Sequence, residues 1–258
     1  GEGEGEGEGE GEGEGEGEGE GGAIVVFDEE FAGVGGGWDG WDCADFDDDG
    51  TATENDGSGL LSLLAPGRKD CQHAAAVRDV DLVVTLSFAL GSEAGRDPVA
   101  AKEGALVAVR RHLLQASPSW SANELDVAVV PNADGEAVVR VVPEVNIGKG
   151  GNAPITDPAI AENGSGVGVV GPVVRVRVRV ESAQPTRVRA KVWAASDDEP
   201  PAWTVDASLA NDDDFVDDDY GVDLSVACLG DQRDAAPAVF EHLVLYDATT
   251  VSADSVLP

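Results

Sequence analysis

Residues 173–180 read Val-Val-Arg-Val-Arg-Val-Arg-Val, with valine and arginine in strict alternation from Val174 onward. Period two sends the valines to one side of an extended chain and the arginines to the other. Wound as a helix, the same residues would spread charge around every face, and the β-branched side chains would lose rotamer freedom. The segment is therefore a strand with one face for a core. Residues 187–193 repeat the pattern: Val188, Ala190 and Val192 share one face, and Arg187, Arg189, Lys191 and Trp193 share the other. Residues 181–186, with Pro185, join the two as a hairpin.

The rest of the chain reads as strands too. Val80, Leu82, Val84, Leu86, Phe88 and Leu90 fall on one face of residues 77–90. Residues 105–113 form another long run. Leu125, Val127 and Val129 lead into Asn132-Ala133-Asp134-Gly135, a tight-turn signal, and residues 137–142 return as the second arm. Val222, Leu224, Val226 and Cys228 make one strand face, and residues 239–246 a closing strand. No segment keeps helical period over three turns. Short strands punctuated by Gly, Asp and Pro predict an all-β antiparallel sandwich of jelly-roll type over residues 23–258. A Gly-rich stretch near 146–171 is expected to be a long loop or insertion.

Residues 1–22 stand apart. Residues 1–20 repeat Gly-Glu, which as a strand would set a row of like charges against bare glycine. A solvated linker is the expectation, with a self-packed stalk as the alternative.

Charge limits the partners. The chain has 51 Asp+Glu against 16 Lys+Arg, for a net charge of -35. A nucleic-acid binder needs positive surface, and an anionic membrane repels this chain as well. No run of eighteen apolar residues is present to span a bilayer. Twelve of the sixteen basic residues are Arg and only four are Lys. Multimolar salt, with a screening length of about 3 Å or less, would relieve the self-repulsion, so the balance fits a protein of a high-salt organism, with a merely acidic protein of a GC-rich genome as the alternative. The sequence contains no Met and shows no signal peptide, so a processed or truncated start is expected.

Six of the sixteen basic residues lie on the hairpin's outer face: Arg175, Arg177, Arg179, Arg187, Arg189 and Lys191. Like charges set opposite one another are destabilising, so counter-charges are required. One reading supplies them from neighbouring strands, Glu199 among them. The other leaves the face open to an acidic glycan or another subunit, with Trp193 as a stacking platform. Trp203 is expected in the core.

Other motifs carry chemistry. Asp45, Asp47, Asp49 and Thr51 fall at alternate positions of a DxDxDG loop, with Asp56 at its twelfth position. Hard oxygen donors at that spacing suit calcium, the one candidate cofactor. Solvation of an acid-rich loop is the competing reading. Cys43 and Cys71 can bridge if strand geometry brings them together, leaving Cys228 odd. Asn163 heads an Asn-Gly-Ser glycosylation triplet. The GxGxxG at Gly166–Gly171 precedes Pro172 and a strand, so no helix N-terminus waits for a phosphate. His73, His112 and His242 are scattered with no nucleophile motif beside them, so no catalytic residue is nominated.

Three clusters give the chain a family resemblance. Phe31 and Gly35-Gly36-Gly37-Trp38 lead to Trp41; Val188-Arg189-Ala190-Lys191-Val192-Trp193 leads to Glu199-Pro200 and Trp203; Gly221-Val222-Asp223-Leu224 precedes Phe240-Glu241-His242-Leu243-Val244-Leu245. In this order they resemble the concanavalin-A-like, or laminin-G-like, jelly-roll modules of tail and fibre proteins of actinobacterial and archaeal viruses and of secreted microbial proteins. The resemblance spans residues 23–248 and departs from the family in its longer middle. It implies a non-enzymatic module on a virion or cell surface that binds a surface glycan or a partner subunit, with homo-oligomers open. A secreted glycan-cleaving hydrolase and a purely architectural subunit are the alternatives on this fold.

Overall fold

The computed structural model describes residues 23–31, 40–45, 52–55, 60–63, 67–75, 79–88, 104–115, 121–131, 136–148, 161–162, 173–182, 185–209, 222–230 and 238–257. Among these, every regular element is a strand except one 3-10 turn, Ala248–Thr250. The strands are β1 (Val25–Glu30), β2 (Asp42–Asp45), β3 (Ala52–Asn55), β4 (Leu60–Leu63), β5 (Gly67–Ala75), β6 (Val80–Phe88), β7 (Gly104–Gln115) and β8 (Ser121–Pro131). They continue as β9 (Ala137–Gly148), β10 (Ala161–Glu162), β11 (Val173–Glu181), β12 (Arg187–Ala194), β13 (Val205–Ser208), β14 (Val222–Gly230) and β15 (Ala238–Asp247).

They form two antiparallel sheets. One has eight strands in the order β13-β12-β11-β6-β15-β4-β3, with β1 also on β15. The other has seven, in the order β10-β9-β8-β7-β14-β5-β2. One apolar core lies between them. It takes Val84, Val176, Val178, Val188 and Leu243 from the first sheet and Val107, Val127, Val139 and Val226 from the second. Each belongs to the inward register of an alternating strand, the pattern that builds a face-to-face sandwich. Phe31 and Trp41 belong to this core, and Phe27 and His73 pack against them, with Phe27 and His73 ring centroids 4.1 Å apart.

The two expected hairpins are present. β8 pairs with β9, and β11 with β12. The 146–171 stretch is not wholly irregular: β9 runs on to Gly148, and Ala161–Glu162 adds an edge strand to it. Ala161–Glu162 has no strand pattern of its own, and pairing with Val141 and Arg140 of β9 gives it its ladder bonds.

The register of β11 and β12 sets the outer face. Arg175 stands opposite Trp193, Arg177 opposite Lys191, Arg179 opposite Arg189, and Glu181 opposite Arg187. On the other flank of β11, β6 places Thr85 beside Arg175, Val83 beside Arg177 and Asp81 beside Arg179.

Candidate functional site

The outer basic face, open in one of the two sequence readings and supplied with counter-charges in the other, is covered by the chain itself. Arg177 is 0% exposed, Lys191 2%, Trp193 4%, Arg179 5% and Arg189 7%. After β15 the chain turns through Ala248–Thr250, where the Asp247 carboxylate accepts the Thr249 backbone N–H at 2.9 Å. It then runs as a strap against the outer face. Val251 and Leu257 of the strap pack on Val83, Val244 and Tyr246.

The cations hold the strap by its carbonyls. Arg179 donates to Ala248 O and Val251 O at 2.8 Å each, and Arg177 donates to Ser255 O at 2.6 Å. Lys191 donates to Pro200 O at 2.7 Å in the loop after β12. These bonds satisfy backbone groups that have no ladder partner on that face.

Three shared carboxylates pair with the four buried cations of the layer. Asp81 takes Arg177 in a two-pronged pair, Nε to Oδ1 and Nη2 to Oδ2, both at 2.7 Å. Arg179 Nη1 reaches the same Oδ2 at 2.9 Å. Glu181 bridges Arg179 at 2.9 Å and Arg189 at 2.7 Å. Glu199 Oε1 binds Arg177 and Lys191 at 2.6 Å each, and Oε2 accepts the Leu257 N–H at 3.0 Å. Paired, planar guanidinium–carboxylate contacts of this kind are the strong form of the interaction.

Trp203 lies over the same layer. Arg177, Arg189 and Lys191 place their charges 5.1, 5.3 and 4.6 Å from its rings, within cation–π range. Its indole N–H donates to Ala253 O at 3.2 Å. Trp203 is thus half-buried on the outer face and not in the core as predicted. A ring face attracts cations where an aliphatic side chain would not.

The environment shifts the titrating groups. Burial works against the Arg177 charge, but Asp81 and Glu199 outweigh it and raise its pKa. Burial likewise opposes the Glu181 and Glu199 charges. Arg179 and Arg189 outweigh it at Glu181, and Lys191, Arg177 and the Leu257 N–H at Glu199, so both pKa values fall below the ordinary range. The hydrogen bond from Arg187 lowers Asp206.

The seven predicted face residues therefore divide. Arg177, Arg179, Arg189 and Lys191 are committed to internal partners, which corrects both the open ligand face and the subunit interface expected from them. Trp193 is too deeply buried to offer a ring face for stacking. Arg187 is exposed and pairs with Asp206. Arg175 is half-buried, and its Nε, like the indole N–H of Trp193, has no hydrogen-bond partner among the described residues. Of the counter-charges, Glu199 was legible. Asp81 was missed, although an acid in the run Val80-Asp81-Leu82 is the signal.

Elsewhere, Cys71 is buried and disulfide-bonded, and Cys43 stands directly opposite it in the β2–β5 register. Asp45 ends β2, while Asp47, Asp49, Thr51, Asp56 and Asn163 lie outside the described residues. No cluster of three metal-ligating side chains occurs among the described residues. His242 Nε2 lies 2.7 Å from Asp28 Oδ1, an ordinary strand contact.

No protein-family model matches the chain, and no curated protein matches it. Solved structures do. The exoplasmic/lumenal domain of VIP36, in its Ca2+/Man3GlcNAc-bound form, is similar with a TM-score of 0.56 at 10% identity, covering 91% of this chain and 93% of that one. The fold is the concanavalin-A-like sandwich. The Emp47p carbohydrate recognition domain has a TM-score of 0.54 at 10% identity, covering 87% and 96% of the two chains. The potassium-bound Emp46p carbohydrate recognition domain has a TM-score of 0.52 at 10% identity, covering 81% and 89%.

Proposed function

We propose that this chain is a non-enzymatic carbohydrate-recognition module that binds a surface glycan outside the cytoplasm. The observation that carries the reading is the two-sheet sandwich itself, which over 91% of the chain follows a domain solved with Man3GlcNAc. The disulfide at Cys71 supports an oxidising compartment, and the Cys43–Cys71 bridge is the pairing the register favours. A virion tail or fibre, or a cell surface, is the proposed context, and the net charge of -35 supports a high-salt setting for it.

Calcium is proposed as the cofactor, held by the Asp45, Asp47, Asp49, Thr51 and Asp56 loop. Four carboxylates and a hydroxyl are a donor set for a hard cation. VIP36 and Emp46p were solved in calcium- and potassium-bound forms, which is compatible with an ion in this fold.

The test is binding of the full chain to isolated cell-envelope glycans in high salt, with and without calcium, together with product analysis. Binding with the glycan intact is expected. A calcium requirement abolished by Asp47→Asn with Asp49→Asn would assign the loop. Cleaved glycan would overturn the non-enzymatic reading, and absence of binding to any glycan would overturn the module as a whole.

A further inference from the structure

Among the described residues, every cation of the outer-face ladder but one has a carboxylate partner. The Arg179–Arg189 row has Asp81 and Glu181, and the Arg177–Lys191 row has Asp81 and Glu199. Arg187 has Asp206. The Arg175–Trp193 row continues across the sheet through Thr85 on β6 and His242 on β15. His242 is engaged with Asp28. The first acid in register is Glu30 on β1, opposite His242. At a strand spacing of about 4.8 Å it lies three strands, or roughly 14 Å, from Arg175.

This row also ends the strap's coverage. Ala248 and Val251 meet Arg179, Ser255 meets Arg177, and Leu257 meets Glu199 beside Lys191. No described strap residue bonds to Arg175 or Trp193. Buried N–H donors without acceptors are costly and uncommon in folded proteins. Here two belong to Cα register partners, Arg175 and Trp193, and the Arg175 guanidinium has no carboxylate partner among the described residues. The Nε of Arg189 is also unbonded, but that guanidinium already holds Glu181 and lies over Trp203.

We propose that Arg175 and Trp193 are the donor pair of a subsite for the carboxylate of an acidic saccharide. The proposal rests on the glycan-binding reading and deepens it. Arg175, the half-exposed member, receives the anion, and the Trp193 N–H is the inner donor. A guanidinium recognises a planar two-oxygen acceptor in preference to a hydroxyl. A carboxylate from a second copy of this chain is the competing occupant and is an outcome of the test.

The experiment titrates the full chain with tetragalacturonate, with its methyl ester and with acetate, following heat and tryptophan fluorescence. The acid is expected to bind at least about tenfold more tightly than the ester, the scale of one hydrogen bond to a charged group. Arg175→Gln and Trp193→Phe are each expected to remove most of that preference. Melting curves confirm that the variants fold, and Arg175→Gln, on the half-exposed residue, carries the test should Trp193→Phe misfold. Acid and ester bound equally, with both variants unchanged, would overturn the subsite and leave the glycan reading standing. Acetate bound as tightly as the tetramer would overturn the saccharide assignment. So would a dimer that Arg175→Gln dissociates, which would make a partner's carboxylate the occupant. Binding of no glycan at all would remove both readings.

Discussion

The two faces of the β11–β12 hairpin are both buried, by opposite means. Inward, Val174, Val176, Val178, Val180, Val188, Ala190 and Val192 join one continuous apolar core. Outward, Arg177, Arg179, Arg189 and Lys191 are almost as inaccessible, yet their burial is ionic. The inner face would tolerate repacking by any apolar residues of similar volume. The outer face depends on each cation finding its carboxylate, because an unpaired buried charge costs more than a cavity. One alternating sequence thus makes a non-directional contact on one side and a directional one on the other. The directional side fixes where the C-terminal strap and the Trp203 loop lie.

This contrast can be broken from either side. The largest effect is expected from Asp81→Asn, which takes the shared carboxylate from Arg177 and Arg179; urea unfolding should show a loss of about 3–5 kcal/mol. Val178→Ala, on the inner face of the same hairpin, should cost about 2 kcal/mol by the same measurement, from lost apolar burial and the cavity left. Trp203→Ala removes the ring that faces three cations and the bond to Ala253. It should cost about 1–2 kcal/mol and speed hydrogen exchange at the Leu257 amide.

Acidity sharpens the comparison. Glu181 and Glu199 titrate below their ordinary value of 4.5, so near that pH the unfolded chain binds protons that the folded chain does not. Their contribution is complete well above pH 4.5 and is lost as pH falls through their lowered folded values. Melting curves from pH 7 to pH 3 should decline on the acid side, and Glu199→Gln should decline less steeply. The smallest effect belongs to Arg187→Gln. Its pair with Asp206 is exposed and salt-screened, and the melting temperature in 1 M salt should not move.

Much of the fold was legible because alternation is a local signal. The valine–arginine run fixed the strand, its inward face and its hairpin partner without reference to anything distant. The same alternation put the basic side chains on one outer face, as found. Their accessibility was not legible. It depends on residues 248–257, which carry no periodic pattern, and on Asp81, which meets Arg177 across a separation of 96 residues. A strand pattern shows which side chains share a face, not what lies over that face. Trp203 was misplaced for a related reason: an aromatic residue near a strand end fits an apolar core or a cation layer equally well. Glu199 was nominated because it follows β12 closely and the hairpin required counter-charge.

The central claim is that the outer face is a sealed ion layer and not an open basic surface. A double-mutant cycle on Asp81 and Arg177, measured by urea unfolding at 0.15 M and at 2 M salt, tests it most directly. Both side chains are fully buried, so a coupling of several kcal/mol that persists in 2 M salt is the expected result. A coupling below about 1 kcal/mol that disappears in 2 M salt is what an exposed pair gives, and it would contradict the sealed layer.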